Sequence, residues 1–151
     1  ETAAAVLDAG STGQLVIATI AAGSAHDAIA RLIDRLTPTQ QVLGRQLLGA
    51  SLRGVVCQRL VERADGRGRV PAVEVLVGTP RVVEAIADVG NTKARIAQAI
   101  GEGEYHGMQS TDQALCELVR RGLVTPATAM ANAADGENLR ITLRAYGLVA
   151  A

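Results

Sequence analysis

Apolar positions recur at helical spacing along most of the chain, and capping residues stand where those stretches begin. One apolar stripe follows Ser24, a residue type that caps helices, and it comprises Ala25, Ala28, Ile29, Leu32, Ile33 and Leu36. Because threonine caps free amides and proline pre-sets the first helical φ, helix starts are also predicted at Thr37-Pro38, Thr79-Pro80 and Thr125-Pro126. Further helices are predicted over residues 1–9, 80–89, 92–101, 111–121, 126–134 and 137–146.

Three stretches have the composition of strands. Residues 15–20 form a continuous β-branched apolar run, which is typical of a strand buried on both faces of a parallel sheet. Residues 52–62 and 70–78 flank the turn residues Asp65-Gly66, which predicts a hairpin. The predicted architecture is an α/β segment followed along the chain by an all-α segment. Because an α/β sheet normally contains more strands than these, we expect the later part of a longer domain.

Composition narrows the classes of function. The 151 residues are 48% hydrophobic and 20% charged, and 15 basic side chains balance 15 acidic ones. A neutral chain has no overall field that attracts nucleic acid or anionic lipid, and the absence of Phe and Trp excludes base-stacking platforms as a main mechanism. No apolar run reaches the ~20 residues that span a bilayer, and the N-terminus lacks signal-peptide features. The isolated Cys57 and Cys116 are expected to be reduced thiols in a cytoplasmic protein.

The usual catalytic motifs are missing from the chain. The only lysine, Lys93, lacks the glycine spacing and the following hydroxyl of a phosphate-binding P-loop. The glycines of residues 101–107 are expected to form a helix–helix loop, not a dinucleotide-binding fingerprint. His26 and His106 have no neighbours at metal-ligand spacing, and His26 is expected on the exposed face of its helix.

Arginines concentrate on the predicted hairpin, at Arg53, Arg59, Arg63, Arg67 and Arg69. A solvated, salt-bridged hairpin is the first interpretation, and an anion-binding surface is the alternative. The neutral total charge favours the first.

Several stretches, in order along nearly the whole chain, carry motifs of one family. They are residues 1–3, 12–20, 24–33, 51–60, 74–80, 107–115 and 121–125. Together they resemble the second half of the ATPase domain of PilT-like type IV pilus retraction ATPases. These are the twitching-motility motors of the type II/IV secretion ATPase superfamily.

The resemblance implies the C-terminal part of a RecA-like P-loop ATPase domain. Residues 1–79 would be a partial α/β segment that lacks Walker A and Walker B, and residues 80–151 a small helical segment. The family is hexameric and uses ATP with Mg²⁺, which segments preceding this chain would hold, so neither is expected to bind tightly to this chain alone. The implied partners are further copies of the chain and the inner-membrane pilus machinery, without nucleic acid. The implied location is cytoplasmic, or peripheral at the inner membrane.

The resemblance also implies a nucleotide-facing motif near the start of the chain. In the family this motif contains two histidines and is called the His box. Its positions here are Thr12, Gly13, Gln14, Thr19 and Ala21. Its two histidine positions carry Gln14, which can still form hydrogen bonds, and Ala21, which cannot. Gln58 and Arg59 are further candidates because they stand in a matching motif. Two functions stay open: a portion of a motor that couples ATP hydrolysis to pilus retraction, or a catalytically inactive scaffold or regulatory relative.

Overall fold

The computed structural model describes residues 2–149. Contacts divide the chain into two units, Glu1–Cys57 with Val75–Met108 and Gln58–Glu74 with Gln109–Ala151. This partition by contacts differs from the predicted boundary at residue 79, which concerns family architecture and stays a prediction. Each strand of the single hairpin contributes residues to both units, since the chain leaves the first unit at Cys57 and returns at Val75.

The first unit contains helices α1 (Thr2–Ser11), α2 (Ala25–Asp34), α3 (Pro38–Ser51), α4 (Pro80–Ala87) and α5 (Thr92–Gly101). Helix α3 packs against α1, α2 and α4, and α5 packs against α2 and α4. The core is aliphatic, because the sequence offers no Phe or Trp. Its largest fully buried side chains are Ile33, Leu76, Ile86, Ile96 and Val82.

The second unit contains helices α6 (Thr111–Arg120), α7 (Pro126–Asn132) and α8 (Gly136–Ala145), which pack against one another. It also holds the turn end of the hairpin of strands β1 (Gly54–Glu62) and β2 (Arg69–Val77). A separate apolar cluster fills this unit, with Val61, Leu115, Val124, Ala129 and Leu143 nearly inaccessible to solvent.

The predicted helix starts are confirmed. The Ser24 hydroxyl accepts the Asp27 N–H at 3.1 Å, and the Thr125 hydroxyl accepts the Thr128 N–H at 3.1 Å. At Ser110 a complete capping box forms, in which Gln113 Oε1 also accepts the Ser110 N–H at 2.8 Å. These contacts join residues only three positions apart, so they satisfy free helix amides without help from distant parts of the chain.

The predicted buried strand at residues 15–20 is wrong for the described chain. Residues 15–20 form neither helix nor strand, no described segment pairs with them, and Leu15 and Ile17 are 83% and 87% exposed. A buried strand needs a hydrogen-bonded neighbour on each side, and residues 2–149 supply none. We call residues 14–21 the unpaired segment.

Cys116 and His26 differ in burial and in how they compare with the sequence analysis. Cys116 is a buried free thiol, and its burial raises the pKa of that thiol. His26 is not on an exposed face, since only 25% of its side chain is accessible. No helix within residues 2–149 combines the length and apolarity required to cross a membrane.

Candidate functional site

The first three predicted site residues, Thr12, Gly13 and Gln14, form the C-terminal cap of helix α1. The Gln14 N–H donates to the Ala9 carbonyl and the Gly13 N–H to the Gly10 carbonyl, each at 3.2 Å. This pair of bonds is a Schellman motif, and it requires the left-handed backbone that Gly13 adopts at φ 87°. The Thr12 hydroxyl also donates to the Ala9 carbonyl, at 2.9 Å. The cap therefore sets the direction in which the chain leaves α1.

The unpaired segment follows this cap, and its predicted site residues are accessible to solvent. Gln14, Thr19 and Ala21 are exposed, and the Gln14 side chain forms no hydrogen bond with any residue described in the structure. The backbone groups of residues 15–23 also lack partners within the described range. The segment therefore presents free hydrogen-bonding groups next to a rigid helix end.

Gln58 and Arg59 lie on strand β1, in the second unit. Both are exposed, but the Arg59 Nη1 donates to the Asn132 carbonyl at 2.6 Å, which ties β1 to the end of helix α7. Arg59 therefore has a structural contact that the sequence pattern did not indicate. No described residue forms a hydrogen bond with the Gln58 side chain.

Lys93 is the second residue of helix α5 and follows the turn after α4. A Walker A lysine follows a strand and a glycine-rich loop, so this placement agrees with the missing P-loop motif. Within residues 2–149, no group of three or more His, Cys, Asp and Glu side chains is positioned to hold a metal ion.

The structure also forms a cavity that sequence patterns did not indicate. It has a volume of about 570 Å³ and lies in the first unit, where α2, α3 and α5 contribute His26, Arg45 and Lys93 to its lining. These residues lie 19 and 48 positions apart along the chain, so no local motif could have grouped them. The Nη1 of Arg45 donates to the Ile86 carbonyl in the last turn of α4 at 3.2 Å.

Comparison with known proteins identifies the family. The profile of the type II/IV secretion system protein family matches residues 1–144. A twitching motility protein of Neisseria gonorrhoeae is 34% identical over 139 residues, which are 92% of this chain and 37% of the relative. The type IV pilus retraction ATPase PilT of Pseudomonas aeruginosa is 35% identical over 138 residues, 91% of this chain and 39% of the relative. The chain thus spans about two fifths of these relatives.

Solved structures agree with the sequence comparison. The pilus retraction motor PilT, solved with bound ADP, superposes with a TM-score of 0.74 at 31% identity over 93% of this chain and 38% of its own. The ATPase DotB of Legionella pneumophila shares the fold at a TM-score of 0.75 and 19% identity, over 86% of this chain and 34% of its own. The predicted fold class, the later part of a P-loop ATPase domain followed by helices, is confirmed. The chain belongs to the type II/IV secretion system protein family and is similar to PilT in sequence and in fold.

Proposed function

We propose that this chain is the C-terminal portion of the ATPase domain of a PilT-like motor that couples ATP hydrolysis to pilus retraction. The observation that carries the proposal is the similarity to PilT over nine tenths of the chain, in sequence and in fold together. A likeness in fold alone would indicate only the domain type, because one fold serves many functions.

In this proposal, different segments of the full-length protein contribute different parts of the ATPase site. Segments outside this chain hold ATP and Mg²⁺, because the only lysine of this sequence, Lys93, does not stand in a P-loop motif. The unpaired segment supplies the nucleotide-facing positions Gln14, Thr19 and Ala21. The Schellman cap contains the other two positions, Thr12 and Gly13, and sets the direction in which the chain continues to Gln14. The partners are further copies of the same protein, assembled as the PilT-like family is, and the pilus machinery at the inner membrane.

A catalytically inactive scaffold or regulator is the second candidate. One observation favours it, namely that Gln14 and Ala21 occupy the two histidine positions of the His box. Glutamine keeps a donor and an acceptor, but alanine has neither, so one of the two polar contacts is lost.

Both candidates are tested by reading the gene sequence upstream of Glu1 and by measuring ATP turnover of the full-length protein. For the motor, we expect an in-frame Gly-x-x-x-x-Gly-Lys-Ser/Thr upstream of Glu1, and turnover of ATP by the purified full-length protein. A scaffold is expected to bind motor subunits without turnover. An intact reading frame with no Walker A motif would contradict the motor.

The nucleotide-facing role of Gln14 has its own test in the full-length protein. Gln14→Ala removes a side chain that can hydrogen-bond to a charged group, so we expect ATP turnover to fall about tenfold. Ala18→Ser, on the same exposed segment, is the matched control and should leave turnover unchanged. Equal turnover in both variants would show that Gln14 does not act at the nucleotide.

A further inference from the structure

The cavity of the first unit collects basic side chains from three helices. His26 comes from α2, Arg45 from α3 and Lys93 from α5, and no acidic residue is among the residues that line it. Like charges repel when they are drawn together, so such a cluster is most stable with an anion between its members. The cluster is unexpected in a chain of zero net charge.

The nearby carboxylates are mostly engaged elsewhere. Asp88 accepts the Gly90 N–H at 3.2 Å and a guanidinium N–H of Arg95 at 3.2 Å, and Glu84 lies 3.5 Å from the same guanidinium. Asp27 Oδ1 lies 3.2 Å from His26 Nδ1, but the two atoms are not aligned as a hydrogen bond. His26 Nδ1 is a buried polar atom without a hydrogen-bond partner among residues 2–149.

The basic side chains differ in how firmly they are held. Arg45 is anchored through the Ile86 carbonyl at 3.2 Å, and this contact uses only one of the five guanidinium N–H groups. Lys93 is exposed and forms no ion pair with any described residue. The cavity is therefore lined by one anchored cation and by one cation without an ion-pair partner among the described residues.

The backbone at the start of helix α5 adds donors to the same cavity. Thr92, Lys93 and Ala94 all line it, and their N–H groups have no acceptor in the part of the chain that the structure describes. The preceding residue, Asn91, makes no side-chain cap. These amides and the positive end of the helix dipole favour negative charge, in addition to the side chains.

We propose that this cavity binds a phosphate-type oxyanion, held by Arg45, Lys93 and His26 together with the first amides of α5. Tetrahedral oxyanions offer more acceptor oxygens than a single carboxylate does, which matches the number of these donors better. The ligand is either free inorganic phosphate or a phosphate group of a nucleotide. None of the lining residues belongs to the nucleotide-facing positions, so the proposal goes beyond the proposed function.

The test is an NMR titration of the full 151-residue chain with sodium phosphate at constant ionic strength. We expect saturable shifts of the Thr92, Lys93 and Ala94 amides. Lys93→Gln is expected to weaken binding about tenfold, because a charge-assisted contact is lost. Arg35→Gln is the matched control: Arg35 is an exposed arginine of the same unit outside the cavity, and its loss should leave binding unchanged.

A parallel titration with ADP distinguishes the two sources of the ligand. Tighter saturation of the same amides by ADP, lost in Lys93→Gln, assigns the site to a nucleotide phosphate, whereas tighter saturation by phosphate assigns it to the free ion. Shifts that do not saturate with either probe, or that are equal in Lys93→Gln and wild type, overturn the proposal. ATP turnover of the full-length protein is measured separately, so failure of this site and failure of the motor function remain distinguishable.

Discussion

Gly13 shows how a single residue determines the path of the chain at the predicted site. Its φ of 87° lies in the left-handed region, and both bonds of the Schellman motif depend on that conformation. A Cβ placed on Gly13 meets nothing within 4 Å, so only backbone strain opposes a substitution there. The position therefore isolates the conformational role of glycine from packing.

Gly13→Ala should lower the free energy of unfolding by about 1 kcal/mol, because an L-residue pays a left-handed penalty of about 1–2 kcal/mol. Urea denaturation followed by circular dichroism measures the change as a lower midpoint at constant slope. The matched control is Gly101→Ala at the end of α5, which is equally open but has no positive φ. It should be neutral or slightly stabilising. A neutral Gly13→Ala would contradict the conformational role.

The hairpin turn is an element whose stability depends on one carboxylate. Asp65 accepts the Arg63 Nε and Nη2 groups at 3.1 and 2.7 Å and the Arg67 backbone N–H at 2.9 Å. The hydrogen bond from Arg63 is the main cause that lowers the pKa of Asp65 from 3.8 to about 2, followed by the Arg67 N–H. The same pairing raises the pKa of Arg63. These contacts are stronger with the ionised carboxylate than with the protonated group, because the negative charge assists them.

The stabilisation by Asp65 should be pH-dependent. A lowered pKa in the folded state adds stability above the unfolded value of 3.8 and loses it as the pH falls towards about 2. The difference in free energy of unfolding between wild type and Asp65→Asn should therefore shrink across that window. Denaturation at several pH values measures it, and added salt should reduce it because the pair is exposed. With Glu62→Gln as the control, an identical pH dependence in both variants would contradict the assignment.

At the scale of elements, the hairpin and most helices could be predicted from the sequence. The strand predicted at residues 15–20 was wrong. The pattern around Asp65-Gly66 and the caps at Ser24 and Thr125 are local signals, and the structure confirms each of them. The apolar run of residues 15–20 also indicated a strand. A ladder, however, needs a second segment, and the described chain does not supply it.

At the scale of the whole molecule, the unpaired segment leaves backbone hydrogen-bonding groups without partners among the described residues. Leu15 and Ile17 are exposed beside these groups, a combination that favours pairing between copies. In the proposed motor, a strand from another segment of the protein would pair with this edge. The isolated 151-residue chain should therefore self-associate through it.

Ile17→Lys should reduce that self-association, because a charge within the unpaired segment opposes its pairing with a second copy. Sedimentation equilibrium over a range of concentrations measures the effect as a weaker dimer constant. Val42→Lys is the matched control, since Val42 is also an exposed apolar residue, at 68%, but lies on helix α3. A wild-type chain that stays monomeric at high concentration would contradict the role of the edge.

The candidate sites divide in the same way between sequence and structure. Family motifs drew attention to Gln14 and Arg59, but only the structure shows Arg59 bound to the Asn132 carbonyl and Gln14 exposed after a helix cap. His26 was expected on an open helix face, and packing instead buries its Nδ1 atom. Motifs indicate lineage, and they carry no information about which side chains packing later brings into contact.

By itself, the sequence determined the helix starts and the hairpin, because caps and turns form within about four residues. It also determined the missing P-loop lysine and the family, because both depend on the order of residues in motifs. Only the tertiary structure decided that residues 15–20 stay unpaired and that Arg45 and Lys93 share one cavity. Both outcomes depend on segments far apart in the chain. Their relative placement follows from the packing of whole helices, which no local pattern records.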